Sequence, residues 1–382
     1  MTEVLHEKYV PILCFARGEQ FYPMAVDDFV GYCTLRQKGI DLPLVGQGQV
    51  TLPDLVRAYR YRPDVYLQSV PPSLADQDVL ARWGTDLLGA LTDLSYKTWH
   101  WQEELARIAY RWLSDKTRGA AQLFWWNDLV MGLLARGRRS SRDLPRLSLP
   151  PEIQQAAAEN YARSQPARPN YTCYYRLNRD RDYFCLQYWF FYGYNDWATS
   201  FGGLNDHEGD WEGLYLFFRA DSSGNLQEPP AYLTCVGHHS RLTKPWGHPD
   251  MTLDGTHPVA YVAGGSHATY PQRREYDLMK VYGLVDYATG DGLTIEPADW
   301  RQWIDLNSEP WTDGFLGSWG TRYWLPPSWA DKVLGSVRKK AEEIGLPGVS
   351  APRGPRYADD GSIRPNWIGV VDWAGILNLE KG

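Results

Sequence analysis

The sequence predicts an α+β protein with a mostly antiparallel β-sandwich core, a large helical insertion before it and an irregular Trp-rich C-terminal wrap. Three observations carry this expectation. Residues 186–194 (LQYWFFYGY) and 214–218 (LYLFF) are apolar on both faces, as expected of central strands covered on both sides. Between residues 52 and 163 the apolar residues recur instead at helical spacing, for example Leu87, Leu88, Leu91 and Leu94, then Leu123, Trp126, Leu129, Val130 and Leu133. The 382 residues also include 18 Trp, 25 Tyr and 11 Phe, whose N–H and O–H groups need partners and so gather at core edges or around a pocket.

Each segment follows from its own pattern. Residues 1–50 open with a short apolar strand (YVPILCF), a turn at Gly18 and a Pro-started amphipathic stretch, and are expected to pair onto the core. Residues 51–165 are the helical insertion, broken by the basic, Ser/Pro-rich run 136–151 and closed by a helix over 152–163. Residues 166–382 form the β core and the wrap. Their strand candidates are 184–194, 211–219, 231–237 and 257–263, each bounded by Gly, Asn, Asp or Pro, with one later amphipathic helix over 327–344.

Composition narrows the function. A net charge of −7 argues against a nucleic-acid coat or a polybasic membrane anchor, because neither phosphate nor anionic lipid is drawn to that field. The N-terminus lacks a basic and then apolar leader, and no uncharged stretch reaches the ~20 residues of a membrane span, so a cytoplasmic location is expected. The five cysteines are odd in number and show no CxxC spacing, which predicts unpaired thiols.

Chemistry concentrates in NDWATSFGGLNDHEGDWE, residues 195–212. On a strand, Asp210 and Glu212 point to one side and Trp211 to the other. Gly209 lets the backbone turn from a His207-bearing loop into that strand. Asp196 ends the preceding apolar strand. Three carboxylates and one imidazole repel one another unless a cation or protons compensate them; on the cation reading, Asp196, His207, Asp210 and Glu212 are the candidate metal ligands. An oxygen-rich set with one nitrogen favours Mg²⁺, Ca²⁺ or Mn²⁺ over Zn²⁺. The alternative is a loop of surface acids. Two further sites of interest lie at strand ends: His238 and His239 in CVGHHSR, and His267 on a Gly-permitted turn in AGGSHATYP.

In order along the chain, QYWFFYGYND, HEGDWE and HPVAYVAGGSHATYP resemble the vacuolar protein sorting-associated protein 62 family. The opening YVPILCFARGEQFYP and the closing FLGSWG, APRGPR and PNW are similar to that family's first and last elements. More distantly, the spacing of His207, Asp210, Trp211 and Glu212 resembles the heptapeptide of necrosis- and ethylene-inducing-peptide-like cytolysins. That resemblance implies a compact β-sandwich, a divalent cation held by these residues with Asp196, and engagement of sphingolipid head groups.

Two function classes follow. In the first, a divalent-cation-dependent recognition protein binds a glycan, a lipid head group or a small apolar or aromatic ligand, with Trp189, Tyr192, Tyr194, Trp197, Trp211 and Tyr270 as ligand-binding rings. In the second, a metal-assisted hydrolase, lyase or cyclase uses His267 or His239 as acid/base and Glu208 as a spare carboxylate. Depth separates them: a recognition site should be shallow, an enzyme's buried with a histidine in reach.

Overall fold

The structure, a computed structural model, describes residues 4–40, 42–70, 151–165, 169–203, 206–237, 241–279, 284–321, 351–358 and 360–380. The predicted helical runs between 87 and 134, the helix over 327–344 and His239 lie outside the described residues.

The two apolar runs become the two longest strands. β5 (Tyr183–Asn195) and β6 (His207–Arg219) pair antiparallel at the centre of a six-stranded sheet. The register sets Phe190 opposite Glu212, Tyr192 opposite Asp210 and Asn195 opposite His207. Outward from β5 lie β4 (Thr172–Asp180) and then β15 (Gln302–Asp305); outward from β6 lie β7 (Tyr232–Val236) and β8 (Arg241–Pro245). All contacts in this sheet are antiparallel except β15 on β4.

A second sheet covers one face. It is built on β1 (Ile12–Phe15), which runs parallel to β10 (His257–Val262) and antiparallel to β14 (Thr294–Ile295). β9 (Thr252–Asp254) and β11 (Thr269–Tyr270) pair onto β10, and β12 (Arg274–Met279) and β13 (Leu284–Ala288) form a separate antiparallel pair. Between the sheets, Leu13, Phe15, Ala260, Val262 and Ile295 pack against Leu186, Phe190, Tyr192, Leu214 and Leu216. Through β1 the N-terminal part pairs into the second sheet, and the fold is α+β and sandwich-like.

The other face of β5 and β6 carries Trp189, Phe191, Trp211, Tyr215 and Phe217. It is closed by the short helices Val26–Val30 and Leu52–Arg57, by the helix Pro151–Ser164, and by Trp311, Phe315, Trp319 and Trp367 from the C-terminal part. Burial on both sides explains why neither central strand alternates apolar with polar residues.

Two local expectations change. Residues 65–68, inside the run read as helical, form β3 (Val65–Gln68), antiparallel to β2 (Thr34–Gln37). A proline at 63 and the β-branched and aromatic residues Val65 and Tyr66 favour extended backbone there. His207 opens β6 instead of lying in a preceding loop, and Gly209 takes φ +64° within the strand. All five cysteines are free, four of them buried.

Candidate functional site

Four chain segments converge at the end of the sandwich where β5 and β6 meet the β10–β11 turn. The turn comes first. Gly264 and Gly265 lead to His267, whose φ of +56° is unusual for a residue with a side chain. The turn is closed by Ala263 N donating to Ala268 O at 2.9 Å and His267 N to Ala263 O at 3.0 Å. Held this way, the imidazole is fully buried and stacks on Tyr192 of β5, with centroids 3.8 Å apart and planes 3° apart.

Asp210 meets that ring from β6. Its Oδ2 lies 3.0 Å from His267 Nδ1 and accepts from Asn195 Nδ2 at 3.1 Å, while Oδ1 accepts from the Trp211 N–H at 3.0 Å. On the other side, His267 Nε2 stands 3.5 Å from Glu19 Oε1 without a hydrogen bond. Glu19 arrives from the turn after β1, where Gly18 takes φ +97°. Its Oε1 accepts from the Gln20 and Phe21 amides at 2.9 Å each, and its Oε2 from the Gly265 amide at 2.8 Å.

Electrostatics follow from this geometry. Burial by itself lowers the imidazole pKa. The nearby charge of Glu19 and the hydrogen bond to Asp210 outweigh that and raise it to about 10, so His267 is an imidazolium at neutral pH. Burial likewise works to raise the Glu19 carboxyl, but its charged neighbour His267 and its hydrogen bonds bring it below the usual range.

Asp196 stands between β5 and the short helix Trp197–Phe201. It is fully buried, and Ser200 Oγ donates to its Oδ2. Its Oδ1 has no hydrogen-bond partner and lies against Gly265, where a Cβ would come within 2.8 Å of it. Burial, and then the charge of Glu19, push its carboxyl up to about 7. Glu212 points from β6 to the same side as Asp210, as the period of two requires. Its carboxyl is pushed well above the ordinary range by burial and then by Asp210. Carboxylates therefore outnumber cations here, and His267 is the positive group set among them.

The predicted residues divide accordingly. Asp196, Asp210 and Glu212 face this cluster. His207 keeps its Nδ1 2.9 Å from the Gly209 carbonyl, which can only accept, so Nδ1 carries the proton and Nε2 is the nitrogen left for a ligand. Glu208, weighed as a spare catalytic carboxylate, turns to the opposite side of the sheet and is fully engaged. Its Oε1 accepts from Ser69 N and Oγ, both at 2.6 Å, and from Val70 N at 2.8 Å; its Oε2 accepts from Thr321 N at 3.0 Å.

The six rings read as ligand contacts are core. Trp189, Trp197 and Trp211 are at most 7% exposed, and Tyr192, Tyr194 and Tyr270 at most 1%, because central strands bury both faces. Tyr192 walls the carboxylate cluster, and its hydroxyl has no hydrogen-bond partner. Tyr270 donates to Asp286 at 2.6 Å. The sequence reading missed Glu19, although it sits in the quoted GEQFYP element; a carboxylate just after a strand-ending Gly turn was its only signal.

Among the described residues, no three His, Cys, Asp or Glu side chains form a ready-made ion cage, and no helix is long and apolar enough to cross a membrane. No family model matches the chain, and no curated protein does. The likeness to the vacuolar protein sorting-associated protein 62 family therefore rests on the quoted residues. Solved structures that it resembles are of the necrosis- and ethylene-inducing type. NLPPya in complex with glucosamine is 12% identical over 37% of this chain and 53% of that one, with a TM-score of 0.22. The non-toxic HaNLP3 protein is 13% identical over 38% and 55%, with a TM-score of 0.24. Necrosis and Ethylene inducing Protein 2, from the causal agent of cocoa's Witches Broom disease, is 11% identical over 46% and 67%, with a TM-score of 0.23. The match thus spans about half the length of the first of these proteins.

Proposed function

We propose that this chain is a divalent-cation-dependent recognition protein for an oxygen-rich ligand such as a glycan or lipid head group. One observation carries the reading. The Asp196 Oδ1 atom is buried, belongs to a crowded set of carboxylates and has no donor. An unsatisfied buried carboxylate oxygen is costly, and a hard cation is a group that satisfies it. The missing three-residue cage does not count against Mg²⁺, which keeps several waters and takes one or two carboxylates. Asp196 and Asp210 are the residues that would hold it, with Glu212 and the Nε2 of His207 as further candidates. When bound, the cation supplies a positive, Lewis-acidic point for ligand oxygens.

The chain's own residues prepare that point. Ser200 orients Asp196, and Asn195 with the Trp211 amide orients Asp210. Burial with a histidine in reach is the depth expected of an enzyme, but His267 fits acid–base work poorly. It is held protonated up to about 10, and its Nε2 faces Glu19. A base must be free to accept a proton near the working pH.

Titration calorimetry with MgCl₂ and CaCl₂ tests the reading. One binding event is expected in the native chain, lost in Asp196→Asn. Glucosamine, mannosamine and sphingolipid vesicles, each with and without the ion, test the second half. A native chain with neither binding heat nor a melting shift at millimolar ion would overturn the proposal, as would ligand binding indifferent to EDTA.

A further inference from the structure

Glu208 and Asp210 are two residues apart on one strand, yet they serve opposite sides of the sheet. Glu208 reaches Ser69 and Val70 beside the outer core, whereas Asp210 reaches His267, stacked on Tyr192 of the inner core. Regular alternation would put them on the same side. The step between them, Gly209 at φ +64°, resets the alternation. Glycine takes that conformation without strain but equally takes extended ones, so something must hold it.

The holding contacts are on the page. Glu208 accepts four hydrogen bonds, from Ser69 N and Oγ, Val70 N and Thr321 N. Its partners are themselves fixed: Asn160 Nδ2 donates to Ser69 O at 2.7 Å, and Leu67 N to Ser318 O at 3.0 Å. The backbones also interlock. A Cβ at Gly209 would stand 2.2 Å from Trp319 O, and one at Gly320 2.1 Å from Glu208 O. We propose that Glu208 is a positioning residue for the cation site. By clamping residues 69–70 and 321 to the start of β6, it holds Gly209 in its left-handed conformation and so aims the Asp210 carboxylate at His267. This rests on the cation reading for its functional meaning but not for its geometry.

The experiment compares Glu208→Gln with Val371→Ala, a core change in the C-terminal part that serves as a stability control. Measured where each is folded, Glu208→Gln should weaken Mg²⁺ affinity at least tenfold, while Val371→Ala leaves it unchanged. Thr321→Pro, which removes the N–H that reaches Oε2 while leaving the Glu208 carboxylate in place, should weaken it about threefold and stands in if Glu208→Gln does not fold. A second readout needs no ion. In histidine-labelled protein, the Nδ1–H proton of His267, bonded to Asp210, should give a downfield, slowly exchanging resonance that Glu208→Gln or Thr321→Pro abolishes. If the native chain binds no ion, the cation reading fails and this resonance decides the positioning role. An unchanged resonance, or an affinity lost equally in Val371→Ala, would overturn it.

Discussion

The two sides of β6 treat charge in opposite ways. On the outer side, the buried Glu208 carboxylate is saturated by three amides and a hydroxyl. On the inner side, Asp210 and Glu212 face other carboxylates, with His267 set among them, and the Asp196 Oδ1 atom has no donor. A buried charge surrounded by donors locks a fold. A buried acid crowded by its own sign is held upward in pKa instead, and so remains responsive to protons and to cations.

The largest expected effect breaks the outer side. Glu208→Ala strands the Ser69, Val70 and Thr321 amides and should cost on the order of 3 kcal/mol or more, read as a lower denaturation midpoint. Glu212→Gln, four residues on, instead removes an acid whose ionised form burial and Asp210 already disfavour. It should be neutral or stabilising by about 1 kcal/mol in ion-free protein. Equal losses in the two variants would erase the contrast.

Next comes pH. His267 is raised from 6.5 to about 10 in the folded state, so its contribution is complete below about 6.5 and is lost as pH rises through about 10. The melting temperature of ion-free protein should fall over that range, and His267→Gln should flatten the fall. Asp196 is raised from 3.8 to about 7, so its protonated form favours folding below about 3.8, and that advantage fades as pH rises through about 7. Ion affinity should therefore strengthen between pH 6 and 8, as the competing proton leaves; calorimetry at both values checks it. The smallest effect is expected from reductant. With all five thiols free, a reducing agent should leave the melting curve unmoved.

The long elements were legible because burial on both faces writes itself as unbroken apolar runs: β5 is the strand expected over 184–194 with a residue added at each end, and β6 contains the LYLFF run but reaches back through the polar HEGDWEG. The shared side of Asp210 and Glu212 was legible for the same local reason, a period of two. The partners of the site were not. Glu19 comes from β1 and His267 from the turn after β10, and that parallel pairing leaves no mark in either segment. The crowding of Asp210 and Glu212 was legible, and with it the expectation that a cation or protons compensate them. That an imidazolium already stands there is a tertiary fact. The aromatic residues misled for a physical reason: a Tyr or Trp looks the same in sequence whether its ring faces a ligand or another ring.

The pairing of Ile12 with Val259 also bears on how the chain acquires its site. Ile12 cannot find its neighbour until the chain has been made as far as Val259. Contacts so distant along the chain are slow to form, and the inner sheet is among the last parts expected to assemble. Glu19 rides on that strand's end, so the carboxylate cluster is complete only when the whole sandwich has closed. Occupancy of the site would then double as a signature of finished folding, absent from every nascent or truncated form that lacks β10.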